Sequence, residues 1–121
     1  MIPDDLLSLA RSLIAAPNAG EGHWREAARL AHRAVHHLVA AHLGLDPATF
    51  AGTERAVRET LSTIDPVHAP AFIREARRSI TTSWIAAMRA DNNLGERFEE
   101  RDALLCLAYA ERVLAARAAA N

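Results

Sequence analysis

The stretch from Trp24 to Leu43 constrains the fold most, because its twenty residues contain neither glycine nor proline and are rich in alanine and leucine. Such a composition favours an α-helix. At about 100° per residue, mainly apolar residues fall on one stripe of this helix. The stripe consists of Trp24, Ala28, Ala31, Val35, Leu38 and His42. The sequence therefore predicts a long helix that packs one face against a core.

The opposite flank of the same helix is basic. Its members are Arg25, Arg29, His32, Arg33 and His36. Arginines four residues apart stack on one side of a helix, and such a row can contact the phosphates of an RNA strand or hairpin. The alternative is that these side chains pair with acids of neighbouring helices or remain in water. A net charge of −1 argues against binding of nucleic acid through overall charge, but it leaves room for a local basic patch. The sequence therefore leaves both interpretations open.

Proline, glycine and asparagine divide the rest of the chain into further helices. The predicted helices begin near Ile2, Trp24, Thr53, Ala71 and Arg97 and end near Pro17, Leu43, Ile64, Asp91 and Ala118, in that order. Gly44 is predicted to be the left-handed residue that closes the second helix. No strand pattern, linker or repeat is present. Residues 1–121 are therefore predicted to form one all-α domain, an antiparallel up-and-down bundle of four or five helices.

Two features of the later helices bear on packing and assembly. Eight consecutive nonpolar residues, Ala103 to Ala110, spread apolar side chains around more than half of the last helix. Because a surface helix needs only one apolar stripe, this helix is predicted to be central in the bundle or shared with a second subunit. Asp91 continues the inward stripe of the fourth helix. A buried acid needs a partner such as an arginine, unless the helix has already ended there.

The sequence contains little that matches the spacing of a catalytic or metal site. His32 and His36 share a helix flank, but the zinc motif HExxH is absent and the flanking arginines would repel a cation. Cys106 stands between two leucines and is predicted to be buried and unreactive. We therefore expect no metal and no cofactor. We also expect a cytoplasmic protein that does not enter the membrane, because the chain has neither a signal peptide nor a long apolar run.

Two blocks of the sequence follow patterns of a known family. Residues 29–36 keep the arginine and the histidine of the pattern Arg-Ala-Tyr-Tyr-x-x-Phe-His, as Arg29 and His36, but neither tyrosine. Thr53–Val57 follows a Thr/Ser-His-x-x-Val pattern, with Glu54 in place of the histidine. In order and spacing these blocks resemble the HEPN superfamily, within it the small single-domain proteins that are often encoded beside minimal nucleotidyltransferases.

The resemblance to HEPN proteins extends from Trp24 to Ala116 and includes the end of the fourth helix. There Arg89–Asn92 follows an Arg-Ala-Asp-Tyr block, with Asn92 in place of the tyrosine that a partner enzyme could modify. The resemblance implies a helical fold and a homodimer through the long helices. It also implies an association with RNA, with a nucleotidyltransferase partner, and with a toxin–antitoxin or defence-type system.

Catalytic HEPN ribonucleases have an arginine followed closely by a histidine near the end of the long helix, whereas this chain has no histidine after His68. Arg29 and His36 have a similar spacing, but on a different helix. Three functions remain open: an RNA-associated or partner-binding component without nuclease activity, a metal-independent endoribonuclease to which each subunit contributes Arg29 and His36 at the dimer seam, and a structural or ligand-binding bundle. For RNA contacts we expect Arg29, Arg33 and His36, with Asp91 organising the adjacent helix end.

Overall fold

The structure, a computed structural model, describes residues 2–45, 50–92 and 95–119, apart from the side chains of 50–53 and 91. These residues form five α-helices and no strand. The helices are α1 (Pro3–Ala15), α2 (Glu21–His42), α3 (Phe50–Thr63), α4 (Ala71–Asn92) and α5 (Glu100–Ala119). The predicted all-α bundle is thus confirmed.

The helix α2 is the centre of the bundle. It packs against α1, α4 and α5, while α3 lies over α2 and α4. Near its start, α2 contacts Ala90 through Arg25, and farther along it contacts Ser83 through His32. The later residue of α2 thus contacts the earlier residue of α4. The two helices are therefore antiparallel, although strict alternation of direction with α3 between them would have made them parallel.

The burial of α2 differs from the prediction of one apolar face. Its alanines are buried as expected, but Arg25, His32 and His36 of the opposite flank are buried too. His42, predicted for the apolar stripe, is exposed and rests edge-on against Phe72, with ring centroids 5.2 Å apart. The prediction of a single buried stripe is wrong, because α3 and α4 cover the polar flank as well.

Several helix starts differ from the prediction, among them that of α2, which begins at Glu21 rather than at Trp24, whereas α4 ends close to the predicted Asp91. The helix α3 already begins at Phe50, so Thr53 is not its N-cap. The helix α4 continues through Asp91 to Asn92, which excludes an earlier end; the side chain of Asp91 lies outside the described residues. The helix α5 begins at Glu100 rather than near Arg97. The segment before α5 is fixed instead by Phe98, whose side chain is buried.

The helix α5 buries only one face. Ala103, Cys106 and Ala110 lie in the core, whereas Leu104 and Leu105 are 46% and 48% exposed. The prediction that α5 is central is therefore wrong for the protomer, and the alternative, a second subunit, stays a prediction. Cys106 is buried as predicted. Burial, aided by the negative charge of nearby Asp102, raises the pKa of the thiol to about 12, so this cysteine is unreactive at neutral pH.

Gly44 ends α2 in the manner predicted. Its φ is +75°, in the left-handed region that favours glycine. The backbone N–H of Leu45 donates to the carbonyl of Ala40 at 2.8 Å, and that of Gly44 donates to the carbonyl of Ala41 at 3.2 Å. This pair of bonds is the Schellman motif, which satisfies carbonyls that the helix leaves open.

Two glycine substitutions are expected to have opposite effects on stability. Gly44→Ala should lower the free energy of unfolding by about 1 kcal/mol, because an alanine is strained at this φ. Gly22→Ala, within α2 and with nothing within 4 Å of the added Cβ, should raise it by about 0.5 kcal/mol. Urea denaturation followed by circular dichroism measures both. Equal effects of the two substitutions would contradict the role given to Gly44.

Candidate functional site

The structure places the residues of the predicted basic flank in different environments. Arg25, His32 and His36 are only 6%, 2% and 0% exposed, Arg29 is partly exposed, and Arg33 is exposed. A row of five accessible side chains for a phosphate backbone is therefore absent from this face of α2. The prediction of a basic surface is wrong for the three buried members, and they bind protein groups instead.

Arg25 binds the end of α4. Its guanidinium donates to the carbonyls of Arg89 and Ala90, each at 2.9 Å, and to the carbonyl of Glu96 at 2.6 Å. It also donates to Glu21 at 3.2 Å. The last carbonyls of a helix lack donors within the helix and form the negative end of its dipole. Arg25 therefore acts as a side-chain cap that ties the start of α2 to the end of α4.

The structure does not bring the candidate catalytic pair, Arg29 and His36, to a common site. Arg29 donates through Nε to Glu26 at 2.9 Å and through an η nitrogen to the carbonyl of Ala90 at 3.3 Å. The ring of His36 faces Glu54 of α3 instead. The two residues are almost two helical turns apart, about 10 Å along the axis of α2.

The polar side chains that do come together form a buried network around Glu54, to which α2, α3 and α4 contribute. Glu54, which is 12% exposed, lies with Oε1 3.2 Å from Nε2 of His32 and with Oε2 3.1 Å from Nδ1 of His36. On the other side of the His32 ring, Nδ1 lies 2.9 Å from Oγ of Ser83. His32 can thus donate its Nε2–H to Glu54 and accept from the Ser83 hydroxyl, whereas His36 lies within ion-pair distance of Glu54 but outside hydrogen-bond geometry.

The two histidines determine the charge of Glu54. Burial alone would raise the pKa of this carboxyl, but the close contacts and positive charge of His32 and His36 outweigh burial and lower the pKa to about 2. Glu54 is therefore ionised at neutral pH. A buried carboxylate of this kind stabilises the fold only while its partners are present.

Arg58 connects this network to the surface. Its Nε lies 3.5 Å from Oε1 of Glu54, and its Cζ lies 3.9 Å from the ring centroid of Trp84. This is the geometry of a cation–π contact, which holds a guanidinium plane against an indole ring. The network and Arg58 together fasten α3 to α2 and α4.

The order Ser83, His32, Glu54 has the connectivity of a nucleophile, a base and an orienting acid. However, Ser83 and His32 are both 2% exposed, so a substrate cannot reach the hydroxyl. Within the described side chains, no group of three or more His, Cys, Asp or Glu could hold a metal ion. The geometry therefore favours a structural role for the network over catalysis.

Sequence reasoning missed Glu54 and Ser83 as site residues, although both lie on inward stripes. Glu54 precedes the buried residues Val57 and Leu61 by three and seven positions, which is helical spacing. Ser83 stands three residues after Ile80 in the same relation. A polar residue on an apolar stripe was the available signal for both.

Comparison with known proteins does not assign the chain to a class. No family model, no curated protein and no solved structure matches it. Within the described residues, no helix has both the length and the apolar character that crossing a membrane requires. The resemblance to HEPN proteins thus stays a prediction from the sequence.

Replacing the buried carboxylate tests the network. Glu54→Gln should lower the free energy of unfolding at pH 7 by about 2–3 kcal/mol, because an amide cannot replace a carboxylate bound by two histidines. Glu59→Gln, one turn further along α3 at an exposed pair with Arg55, should change it by less than about 0.5 kcal/mol. Urea denaturation measures both variants.

The difference in the free energy of unfolding between the wild type and Glu54→Gln should depend on pH in a definite direction. The pKa of Glu54 is lower in the folded chain than in the unfolded one, so its contribution is present above pH 4.5 and is lost as the pH falls towards 2. The difference in stability between the wild type and Glu54→Gln should therefore shrink over that range. A difference that stays constant down to pH 2 would contradict the buried ion pairing.

Proposed function

We propose that this chain is a non-catalytic helical protein that acts as a homodimer and binds a partner or RNA. The proposal includes a HEPN-like relationship and a place in the cytoplasm. It also includes a role in a toxin–antitoxin or defence-type system, with a minimal nucleotidyltransferase as the partner. The observation that supports binding most is an apolar surface on α4 and α5, which we call the outer face. It consists of Ile85, Met88, Leu104 and Leu105.

Each side chain of the outer face is 40–49% exposed. Arg89 of α4 pairs with Asp102 of α5 at 3.8 Å, and one turn from that pair lie Ile85 on α4 and Leu105 on α5. The two side chains are therefore at the same level of neighbouring helices. Large apolar side chains that are exposed on two adjacent helices are typical of a surface that another molecule covers. A second copy is the simplest such molecule, because a two-fold axis pairs the same face with itself.

The burial of the histidines supports the absence of catalysis. A metal-independent ribonuclease needs a histidine that moves a proton at the ribose and a cation that orients the phosphate. His36 is fully buried against Glu54, and Arg29 is engaged elsewhere. The ribonuclease alternative thus has less support than the binding function. If RNA is bound through α2, the contacts fall to the accessible side chains, Arg33 and the partly exposed Arg29.

The homodimer can be tested by charge on the outer face. The double variant Leu104→Glu/Leu105→Glu should be monomeric while the wild type is dimeric, because two like-charged patches would meet across the axis. Leu9→Glu is the matched control, since Leu9 is 42% exposed but lies on α1. Analytical ultracentrifugation gives the masses, and circular dichroism shows that the variants remain folded. A monomeric wild type at 100 µM would refute the dimer.

RNA association has its own test. Labelled single-stranded and hairpin RNA should bind the wild type, and binding should weaken about tenfold in Arg29→Ala/Arg33→Ala, because two phosphate contacts are lost. Equally negligible binding by both proteins would exclude the RNA part of the proposal. RNA cleavage that persists in EDTA and disappears in His36→Ala, while the circular dichroism spectrum of that variant stays unchanged, would instead establish the ribonuclease.

A further inference from the structure

The structure has a second polar feature, on the surface between α3 and α4, which we call the arginine groove. It is a cavity of about 300 Å³. Its lining residues are Arg58, Leu61 and Ser62 from α3 and Arg77, Arg78, Ile80 and Thr81 from α4. None of them belongs to the outer face or to the basic flank of α2.

We propose that the arginine groove binds the phosphate group of a small phosphate monoester. Three arginine residues from two helices line one cavity, and an anion between them would reduce the repulsion of their like charges. The arginine fork donates paired N–H groups with the spacing of phosphate oxygens. A monoester phosphate carries up to two negative charges and accepts from several directions at once. This site goes beyond the proposed function and does not depend on it.

The charges around the groove favour an added anion. Arg78 pairs with Glu75 at 3.0 Å on the surface. Arg77 makes no ion pair with a carboxylate in the described part of the chain. The carboxylate nearest to Arg58 is Glu54, which two histidines already bind. The positive charge in the groove is thus only partly balanced by protein groups.

Arg58 is held in place before any ligand arrives. The ring of Trp84 supports the plane of its guanidinium, and Glu54 lies on the side of Nε. An arginine with a fixed plane loses less conformational entropy on binding than one that moves freely in water. The buried network therefore prepares one of the three phosphate contacts.

The size and surroundings of the groove favour a small ligand over an RNA strand. A volume of about 300 Å³ is at the lower end of the range for small-molecule clefts. A nearby surface arginine, Arg55, pairs with Glu59 at 2.8 Å, so the charge does not continue along α3 as an unbalanced row for a long backbone.

Isothermal titration calorimetry of the full chain tests the site. Inorganic phosphate, ribose 5-phosphate and adenosine 5′-monophosphate are the phosphate probes, and adenosine and succinate are the controls. We expect the two monoesters to bind with a Kd below about 1 mM and adenosine not to bind. If inorganic phosphate binds and neither monoester binds more tightly, the groove is a site for free phosphate, and the proposal of a monoester ligand is wrong. Equal binding of succinate would show a site without preference for phosphate.

The variant Arg77→Gln locates the site. It should weaken the binding of ribose 5-phosphate about tenfold and leave the circular dichroism spectrum unchanged, because Arg77 is exposed. Arg97→Gln, at another exposed arginine, which lies before α5, is the control and should leave the Kd unchanged. An unchanged Kd in Arg77→Gln would overturn the proposal. So would a result in which only an oligoribonucleotide binds and loses affinity in this variant, since RNA would then occupy the groove.

Discussion

The placement of α3 depends on one buried carboxylate. Glu54 is withdrawn from water, which is unfavourable for a charge unless donors surround it. Both of its oxygens meet histidines of α2, and these stand one turn apart at His32 and His36. Only one rotation and one height of α3 can satisfy both contacts. Apolar contacts through Val57 and Leu61 favour burial of α3, whereas the carboxylate selects a single position among the many that such contacts permit.

Arg25 has a similar role two turns earlier on the same flank of α2. It joins the end of α4 and the segment before α5, where Glu96 accepts its hydrogen bond, so it fixes how the chain turns between them. Arg25 differs from Glu54 in its chemistry, since Arg25 donates to backbone carbonyls and needs no acid for that purpose. The flank that sequence alone presents as a basic surface is thus largely a set of internal attachments, with Arg33 as its exposed member.

This difference shows what periodicity can and cannot predict. Helical spacing and the positions of proline and glycine were sufficient for the five helices and for the left-handed turn at Gly44. Spacing also tells which residues share a flank of a helix, but not what covers that flank. The position of α3 over the histidines depends on Glu54, far away in sequence, and on the early start of the helix at Phe50. Neither is a local property of α2, so its polar flank could not be identified as buried from its own residues.

The buried network and the arginine groove are connected through Arg58, which has Glu54 on one side and Trp84 on the other. Because Glu54 sets the position of α3, it also sets the distance between Arg58 and the arginines of α4, Arg77 among them. Arg77, in contrast, does not set the position of α3, since it is exposed and lies outside the core. The polar interior can therefore determine the shape of a surface site without touching a ligand. The exposed arginines of α4, Arg77 and Arg78, can change at little cost to the fold, whereas Glu54 is constrained by the fold and by the groove together.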